Sequence, residues 1–250
     1  MKEYKDRIYR QRFDNDRWQS FVVKYKETDV WTGVNKKSFR SEMSEITMQI
    51  IRRLRDEMDV YLNQDPYYAL SLTPYAAQEH APAMAKQMSD ISHKVDVGPM
   101  ATVAGAFATH IAQELKNRFE IEEIIVENGG DIYADIKNDM DVCIFAGKSP
   151  LSEKIGLKIE PIDSSLGICT SSGTVGPSLS FGKADAVMIV CKNALLADGY
   201  ATAFANRIQT TDDINPVLNL IACEKDILSA LLVKDDKMGI IGQFELKLFH

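Results

Sequence analysis

The spacing of apolar side chains divides the chain into strand-like and helix-like segments. Runs of β-branched and aromatic residues bounded by turn residues predict β-strands. They lie at 7–13, 17–25 and 28–34, and then at 122–130, 131–137, 140–147, 154–160, 166–171, 184–191, 227–235, 238–242 and 244–249. Asn, Gly, Asp and Pro residues separate most of these runs, so we expect antiparallel hairpins.

Apolar residues at steps of three and four predict helices in the remaining segments. The clearest is 41–63, where Ser41 can cap the first turn. The stretch 65–80 has three tyrosines, two prolines and no steady period, which predicts a loop. Further helices are predicted within 81–94, 95–119, 196–207 and 211–223. Helices grouped between blocks of antiparallel strands indicate an α+β fold.

Composition indicates a folded protein and excludes two classes of partner. The chain has 250 residues, of which 45% are hydrophobic and 26% charged, so we expect one domain over 1–250 or two small lobes sharing a core. The net charge of −7 argues against nucleic acid as a partner. No stretch reaches the roughly 18 apolar residues that a membrane span needs, and the N-terminus has no apolar signal region. We therefore expect a cytoplasmic protein.

The four cysteines do not form a metal motif. Cys143, Cys169, Cys191 and Cys223 are at least 22 residues apart, and the sequence has no C-x-x-C. Buried, reduced thiols are the expected state of all four. Cys169 comes one residue before a polar turn, so a reactive thiolate is the alternative for that residue.

A glycine- and serine-rich stretch, 167–191, is a candidate binding segment. A P-loop requires G-x-x-x-x-G-K-[ST], but Pro177 stands five residues before Gly182, and Ala184 follows Lys183. The sequence has neither a G-x-G-x-x-G motif nor a G-x-S-x-G nucleophile turn. The stretch therefore lacks the sequence of three common catalytic or nucleotide-binding devices.

Two polar turns can instead present backbone to a ligand. Thr170, Ser171, Ser172 and Gly173 offer N–H and hydroxyl donors at the end of a strand, which suits a phosphate or carboxylate. The range 127–131, Glu-Asn-Gly-Gly-Asp, carries two glycines that permit φ > 0 and close approach of a flat ligand. An ordinary turn and an ordinary hairpin are the alternatives for the two segments.

An aspartate and a threonine form a candidate metal pair. Asp198 and Thr202 stand at i and i+4 in the predicted helix 196–207, which places both on one face. Carboxylate and hydroxyl oxygens suit Mg²⁺, which takes few protein ligands and fills its shell with water and substrate phosphate. Asp198 alternatively serves only as a first-turn charge favoured by the helix dipole.

Several of these segments, in this order, resemble the ApbE superfamily. They are "VDVGPMATVAGAFA", "IIVENGGDIYA", "VCIFAGKSP", "GICTSSGT" and "ADGYATAFAN". The best-known members of the superfamily are Mg²⁺-dependent flavin transferases, which move FMN from FAD onto a protein threonine or serine. The match is closest to an uncharacterised, leaderless branch and covers nearly the whole chain, whereas similarity to the transferases covers roughly 95–206. The resemblance implies a T-fold-related structure of two similar lobes, with antiparallel sheets and helices packed on one face.

The resemblance also implies a set of site residues. Asp198 and Thr202 match the metal pair of the transferases, so Mg²⁺ and FAD or FMN are the implied cofactors. The implied cleft for the ligand is lined by Asn128, Gly129, Gly130, Asp131, Thr170, Ser171, Ser172, Gly173, Thr174, Lys183 and Asp185. Where the transferases carry His-Ile-Ile-Asp-Pro this chain has "SLSFGKADAV", and Leu196 occupies the position of a further acid. These departures argue against the FMN transfer of the superfamily.

The expected function is an enzyme that binds a nucleotide, a flavin or a phosphorylated small molecule between the lobes. A non-catalytic protein that binds such a ligand and delivers it to a partner is the alternative. The branch that the chain resembles also suggests a part in sulfide incorporation during homocysteine biosynthesis, with Cys169 as a sulfur carrier. A homodimer is expected.

Overall fold

The computed structural model describes residues 17–175 and 180–249, so the predicted strand 7–13 lies outside the described residues. The strands are β1 Trp18–Tyr25, β2 Thr28–Asn35, β3 Ile124–Asn128, β4 Asp131–Asp135, β5 Met140–Cys143, β6 Ile155–Ile159, β7 Leu166–Ser171, β8 Ala186–Cys191, β9 Ile227–Lys234, β10 Lys237–Gly242 and β11 Glu245–Leu248. The helices are α1 Met43–Gln64, α2 Pro66–Leu70, α3 Ala83–Val95, α4 Val103–Arg118, α5 Ala194–Ala205 and α6 Ile214–Ile221, with 3-10 turns at Pro99–Thr102 and Thr211–Asp213.

Eight strands form one large sheet in the order β1-β2-β3-β4-β7-β8-β9-β10, and every neighbouring pair is antiparallel. In the first half, β1 and β2 are followed by helices and then by β3 and β4. In the second half, β7 and β8 are followed by helices and then by β9 and β10, so the two halves have the same topology. The β4–β7 pair joins them, with Asp131 opposite Cys169. The predicted α+β class is confirmed. The two halves share one continuous sheet, so the candidate site has a rigid backbone support.

The two faces of this sheet are covered by different layers. Val126 packs into the core shared with the helices, whereas its neighbour Ile125 packs against the three-stranded sheet β11-β6-β5 on the opposite face. This alternation follows from the two-residue period of a strand. Because both faces are buried, the central strands are continuously apolar, as in β8 with its six buried residues.

The start of α1 differs from the predicted start. The helix begins at Met43 with Glu42 in the capping position, and no side chain accepts a cap hydrogen bond. The hydroxyl of Ser41 lies 3.5 Å from the carboxylate of Glu42 instead. The prediction that Ser41 caps the helix is therefore wrong, because the helix starts one residue later than the apolar spacing suggested.

The predicted loop 65–80 contains the short helix α2. Pro66 occupies its first turn, and the carboxylate of Asp65 accepts the N–H of Tyr68 at 3.3 Å. A proline with fixed φ at the helix start and an aspartate before it favour a helical turn over a loop. The same buried carboxylate accepts the hydroxyls of Tyr61 at 3.2 Å and Tyr75 at 3.1 Å, which fixes the chain on both sides of α2.

No helix formed by the described residues combines the length and the apolar character needed to cross a membrane.

Candidate functional site

A cavity of about 1100 Å³ opens where turns of the large sheet meet the helices and the three-stranded sheet. Three predicted segments contribute to its wall. Their lining residues are Gly129, Gly130, Asp131, Thr170, Ser171, Ser172, Asp198 and Thr202. They come from the β3–β4 turn, the end of β7 and helix α5, and the β4–β7 pairing brings the first two turns side by side.

Five other predicted residues lie outside the lining of the cavity and support the wall instead. They are Asn128, Gly173, Thr174, Lys183 and Asp185. The amide of Asn128 donates to the carbonyl of Ala104 at 3.3 Å, and the N–H of Lys183 donates to the carbonyl of Ile208 at 2.7 Å. Lys183 and Asp185 were both predicted to line the cleft, and neither is among the residues that line this cavity.

The β3–β4 turn is a two-residue hairpin with both glycines at positive φ. Gly129 has φ 75° and Gly130 has φ 105°, a combination that a side chain would strain. The N–H of Gly130 donates to the buried carboxylate of Glu127 at 2.7 Å, so this N–H is committed to the turn. Glu127 also lines the cavity, and it lies in the candidate turn 127–131, although it was not among the predicted ligand-binding residues.

Asp198 is held against the start of α4 by a hydrogen bond across the molecule. It is only 7% exposed, and its Oδ2 accepts the N–H of Gly105 at 2.9 Å. A Cβ on Gly105 would lie 2.4 Å from the carbonyl oxygen of Ala194, so this contact requires glycine.

The environment of Asp198 makes the charged form of its carboxylate less favourable than it is in water. Burial raises the pKa of Asp198 well above its ordinary value, and the negative charge of Asp131 raises this pKa further. The backbone N–H groups of Gly105 and Ala104 act in the opposite direction without overcoming burial. A cation placed between the two carboxylates would remove this electrostatic cost.

Helix α5 and its C-terminal capping residue present a polar stripe of three residues to the cavity. Asp198, Thr202 and Asn206 follow one another at steps of four, and all three line it. Asn206 was missed from the sequence, although extending the i, i+4 pair by one more turn would have found it. Its Oδ1 accepts the hydroxyl of Ser180 at 3.1 Å and the N–H of Phe181 at 2.9 Å.

Phe181 is an exposed aromatic residue on a fixed backbone at the cavity. The residue is 60% exposed although it lines the cavity. Its N–H is held by Asn206, and its carbonyl accepts the side-chain amide of Gln209 at 2.8 Å. The next residue, Gly182, touches the end of α5, where an added Cβ would lie 1.8 Å from the carbonyl oxygen of Ala205. The ring is thus available to a ligand at little cost in ordering.

Apolar side chains supply much of the remaining wall, and none of them was predicted as a site residue from the sequence. Leu70 of α2 is 73% exposed and lines the cavity. Other apolar lining residues are Leu72, Met100, Val103, Phe145, Val175 and Phe249. A mixed wall of polar turns and apolar surface suits a ligand with both a charged and a flat apolar part.

The basic residues that line the cavity form ion pairs with acidic residues. Lys158 lies 2.9 Å from Asp139, and Lys247 lies 2.9 Å from Asp141. Arg17 lies 2.5 Å from Glu123, which is outside the cavity lining. These three cations are therefore already paired with carboxylates.

The donor set around Asp198 fits Mg²⁺. Within the described ranges 17–175 and 180–249, no group of three or more His, Cys, Asp or Glu side chains is arranged to hold a metal ion. Mg²⁺ needs only one or two carboxylates with water and phosphate in the remaining positions. Asp198, the hydroxyl of Thr202 and the adjacent Asp131 supply that minimum of hard oxygen atoms.

The cysteines differ from one another in exposure. Cys169 and Cys191 are buried as expected, but Cys143 is half-buried and Cys223 is exposed, so the prediction of four buried thiols is wrong. Cys169 is 0% exposed and donates to the carbonyl of Ala194 at 3.3 Å. Burial raises the pKa of Cys169 well above its ordinary value, as do the charges of Asp131 and Asp198. A shielded, protonated thiol does not suit a sulfur carrier.

A family model described as AbpE bacteria matches residues 10–228. The chain belongs to that family. Within the AbpE bacteria family it is similar to a UPF0280 protein of Methanocaldococcus jannaschii, 36% identical over 231 residues, covering 90% of this chain and 91% of the relative. A UPF0280 protein of Methanocella arvoryzae is 36% identical over 198 residues, 79% of this chain and 80% of the relative. The resemblance stated from the sequence is confirmed.

Solved structures share the fold of this AbpE bacteria member at low sequence identity. The apo form of the flavinyl transferase ApbE from Pseudomonas stutzeri gives a TM-score of 0.59 at 13% identity, covering 93% of this chain and 94% of that one. The flavin transferase ApbE from Vibrio cholerae gives 0.60 at 10% identity, covering 92% and 96%. These similarities show the fold alone.

Proposed function

We propose that the cavity binds a flavin nucleotide, FAD or FMN, or a closely related nucleotide. Its phosphates would lie at the end formed by Asp131, Thr170, Ser171 and Asp198, and its ring would lie against apolar wall such as Phe181. The observation that carries the proposal is the convergence of three polar segments, distant in sequence, on one cavity with an apolar remainder. The shared fold with proteins described as flavin transferases supports the choice of a flavin.

We propose Mg²⁺ as a second component of the bound state. Asp198 and Thr202 would hold it together with Asp131, and the cation would supply charge neutralisation to the phosphates of the ligand. The support is the buried position of Asp198 beside a second carboxylate, whose charge raises its pKa. The residues of the chain then orient the ligand and exclude water from its phosphates.

A thermal-shift experiment tests this proposal with FAD, FMN and ADP, each with and without Mg²⁺. A ligand present at a hundred times its Kd stabilises the folded chain by about 2.7 kcal/mol, which gives a measurable rise in Tm. FAD or FMN should raise Tm, and Mg²⁺ should increase the rise. If none of the three nucleotides changes Tm under either condition, the chain does not bind them and the proposal is wrong.

The metal assignment has its own variant and control. Asp198→Asn should remove the Mg²⁺-dependent part of the shift, since it removes a carboxylate charge while keeping the side-chain shape. Asp212→Asn, at an exposed residue outside the cavity lining, should leave that part unchanged. A Mg²⁺ effect of the same size in Asp198→Asn and the native chain would show that the cation binds elsewhere.

A non-catalytic role as a flavin-delivery protein is the second candidate. It is favoured because none of the described residues that line the cavity is a histidine, so no imidazole is placed to move a proton there. Incubation with FAD and Mg²⁺, followed by assay of the AMP and FMN that hydrolysis of the FAD pyrophosphate by water would release, separates the two. AMP release that depends on Asp198 supports an enzyme, and tight binding without AMP release supports delivery. A cytoplasmic location and a homodimer stay predictions.

A further inference from the structure

Asp185 is a buried carboxylate outside the cavity lining, and three different parts of the chain meet at it. Its Oδ1 accepts the hydroxyl of Thr174 at 2.9 Å. Its Oδ2 accepts the N–H of Asp235, in the turn between β9 and β10, at 2.6 Å. Lys234 places its ammonium 3.9 Å from the same oxygen. The carboxylate therefore ties the turn after β7 to a neighbouring hairpin of the large sheet.

Hydrogen bonds inside the turn after β7 link Thr174, the partner of Asp185, to residues that line the cavity. The hydroxyl of Ser172 accepts the N–H groups of Thr174 at 3.1 Å and of Val175 at 2.9 Å. Ser172 and Val175 line the cavity, whereas Thr174, which lies between them, does not. The position of Thr174 thus fixes the residues on either side of it. A second contact, from the N–H of Gly173 to the carbonyl of Ala184 at 2.9 Å, lies directly beside Asp185 in the sequence.

We infer that Asp185 is a positioning residue, which acts through Thr174 to hold the Ser172–Val175 turn in its ligand-binding shape. The inference rests on the proposed function, since the ligand is the proposed flavin nucleotide. Hydrogen bonds to a charged acceptor are about twice as strong as neutral ones, and a buried carboxylate has few alternative partners. A turn held in advance loses less conformational entropy when the ligand binds.

The experiment compares Thr174→Val with Thr174→Ser. Valine keeps the side-chain shape and removes the hydroxyl that Asp185 accepts, whereas serine keeps the hydroxyl. Calorimetric titration with FAD in excess Mg²⁺ should show about tenfold weaker binding for Thr174→Val and near-native binding for Thr174→Ser. The residue is outside the cavity lining, so the loss would act through the turn and not through a lost ligand contact.

A double-mutant cycle shows whether Thr174 and Asp185 act as one unit. Asp185→Ala alone should weaken FAD binding at least as much as Thr174→Val. The double variant should be no weaker than Asp185→Ala, because the second change removes a partner that has already been lost. Additive losses in the cycle would overturn the inference. Thr174→Val changes an exposed residue, so the test stands if Asp185→Ala fails to fold.

The chain provides a matched control in another turn. Thr210 and Asp213 make the same kind of pair, with the hydroxyl 3.2 Å from the carboxylate, at an exposed turn outside the cavity lining. Thr210→Val should lower FAD affinity by less than twofold. A loss equal to that of Thr174→Val would indicate a general effect of weakened turns and would overturn the inference.

Hydrogen exchange on the free chain separates failure of this inference from failure of the proposed function. Amides of Thr174 and Val175 should exchange faster in Thr174→Val and in Asp185→Ala, whereas those of residues 128–131 should not change. If the native chain binds neither FAD nor FMN, the proposed function is wrong. If exchange at residues 174–175 is unchanged in both variants, Asp185 does not hold the turn and the inference is wrong as well. If the native chain binds FAD, unchanged affinity in Thr174→Val overturns the positioning role alone.

Discussion

Gly105 donates its backbone N–H to the carboxylate of Asp198 over 2.9 Å, although 93 residues separate the two in sequence. The contact joins the start of α4 to the helix that carries the polar stripe Asp198, Thr202 and Asn206. It exists because glycine lets the two helix backbones approach. The orientation of the candidate metal ligand is therefore set by a residue that has no side chain.

Gly105→Ala should lower both stability and ligand binding. The new Cβ would meet the carbonyl oxygen of Ala194 at 2.4 Å, so the two helices must separate. We expect a loss of about 1–3 kcal/mol in the free energy of unfolding, measured with urea, and a smaller Mg²⁺-dependent shift in Tm. Gly199→Ala, which meets side-chain methyl groups and no backbone, is the comparison and should lose less. Equal losses of stability in the two variants would mean that the clash with the backbone of Ala194 is not the cause of the loss in Gly105→Ala.

Glu123 should make stability depend on pH in the acid range. Burial alone would raise the pKa of Glu123, but the guanidinium of Arg17 and the N–H groups of Lys137 and Asn138 outweigh it, so the pKa lies below its ordinary value. A lowered pKa gives stability that is present above the ordinary value and lost as pH falls through the folded-state value. Glu123→Gln should cost about 1–3 kcal/mol at pH 7.

Urea unfolding from about pH 7 to about pH 3 tests this sign, since that range spans the ordinary pKa of a glutamate. The difference in stability between the native chain and Glu123→Gln should narrow as the pH falls, because the carboxylate of Glu123 takes up a proton at a higher pH in the unfolded chain than in the folded chain. Glu120→Gln, at an exposed residue, should follow the native curve throughout. A difference that stays constant with pH would show that the ion pair with Arg17 is not the cause.

Phe181 should contribute to binding of the flavin ring. Phe181→Ala should weaken FAD binding about fivefold, which corresponds to about 1 kcal/mol of ring contact. Phe181→Trp should retain binding and quench flavin fluorescence more strongly, since the indole would lie against the ring. Val60→Ala removes a side chain of similar exposure outside the cavity lining and should have no effect. If flavin bound to Phe181→Trp keeps its fluorescence, the flavin ring does not lie against residue 181.

The thiols should react with iodoacetamide in the order of their exposure. Cys223 is exposed and should be alkylated first in the folded chain at neutral pH. Cys169 should stay unmodified until the chain is unfolded in urea, because burial shields it and raises its pKa. Peptide mass spectrometry gives the order directly. Rapid labelling of Cys169 in the folded chain would contradict this placement and would revive the sulfur-carrier hypothesis.

Local chemistry in the sequence predicted several parts of the site. The paired glycines 129 and 130 predicted a tight hairpin, which the structure has. The i, i+4 spacing of Asp198 and Thr202 predicted that they share a helix face. All four residues line the cavity. These predictions hold because hairpin geometry and helical period depend on neighbouring residues alone.

The positions of Asp185 and Phe181 relative to the cavity could not be predicted from neighbouring residues in the sequence. Both lie in the polar stretch 167–191, yet the carboxylate anchors a turn behind the wall and the aromatic ring forms part of it. Their directions depend on contacts with Asn206 and with the β9–β10 hairpin, which come from distant parts of the chain. No periodicity near residue 181 or 185 encodes those contacts.

The sequence by itself determined the α+β class, most of the order of strands and helices, and the polar turns, because strand period, helix period and turn chemistry are local properties of a chain. The family was indicated by the resemblance of several segments to a known superfamily. Only the tertiary structure decided which polar residues face the cavity and which support it. Whether a polar side chain faces the cavity or lies behind its wall depends on strand register and on helix packing, and both are set by contacts between residues far apart in sequence.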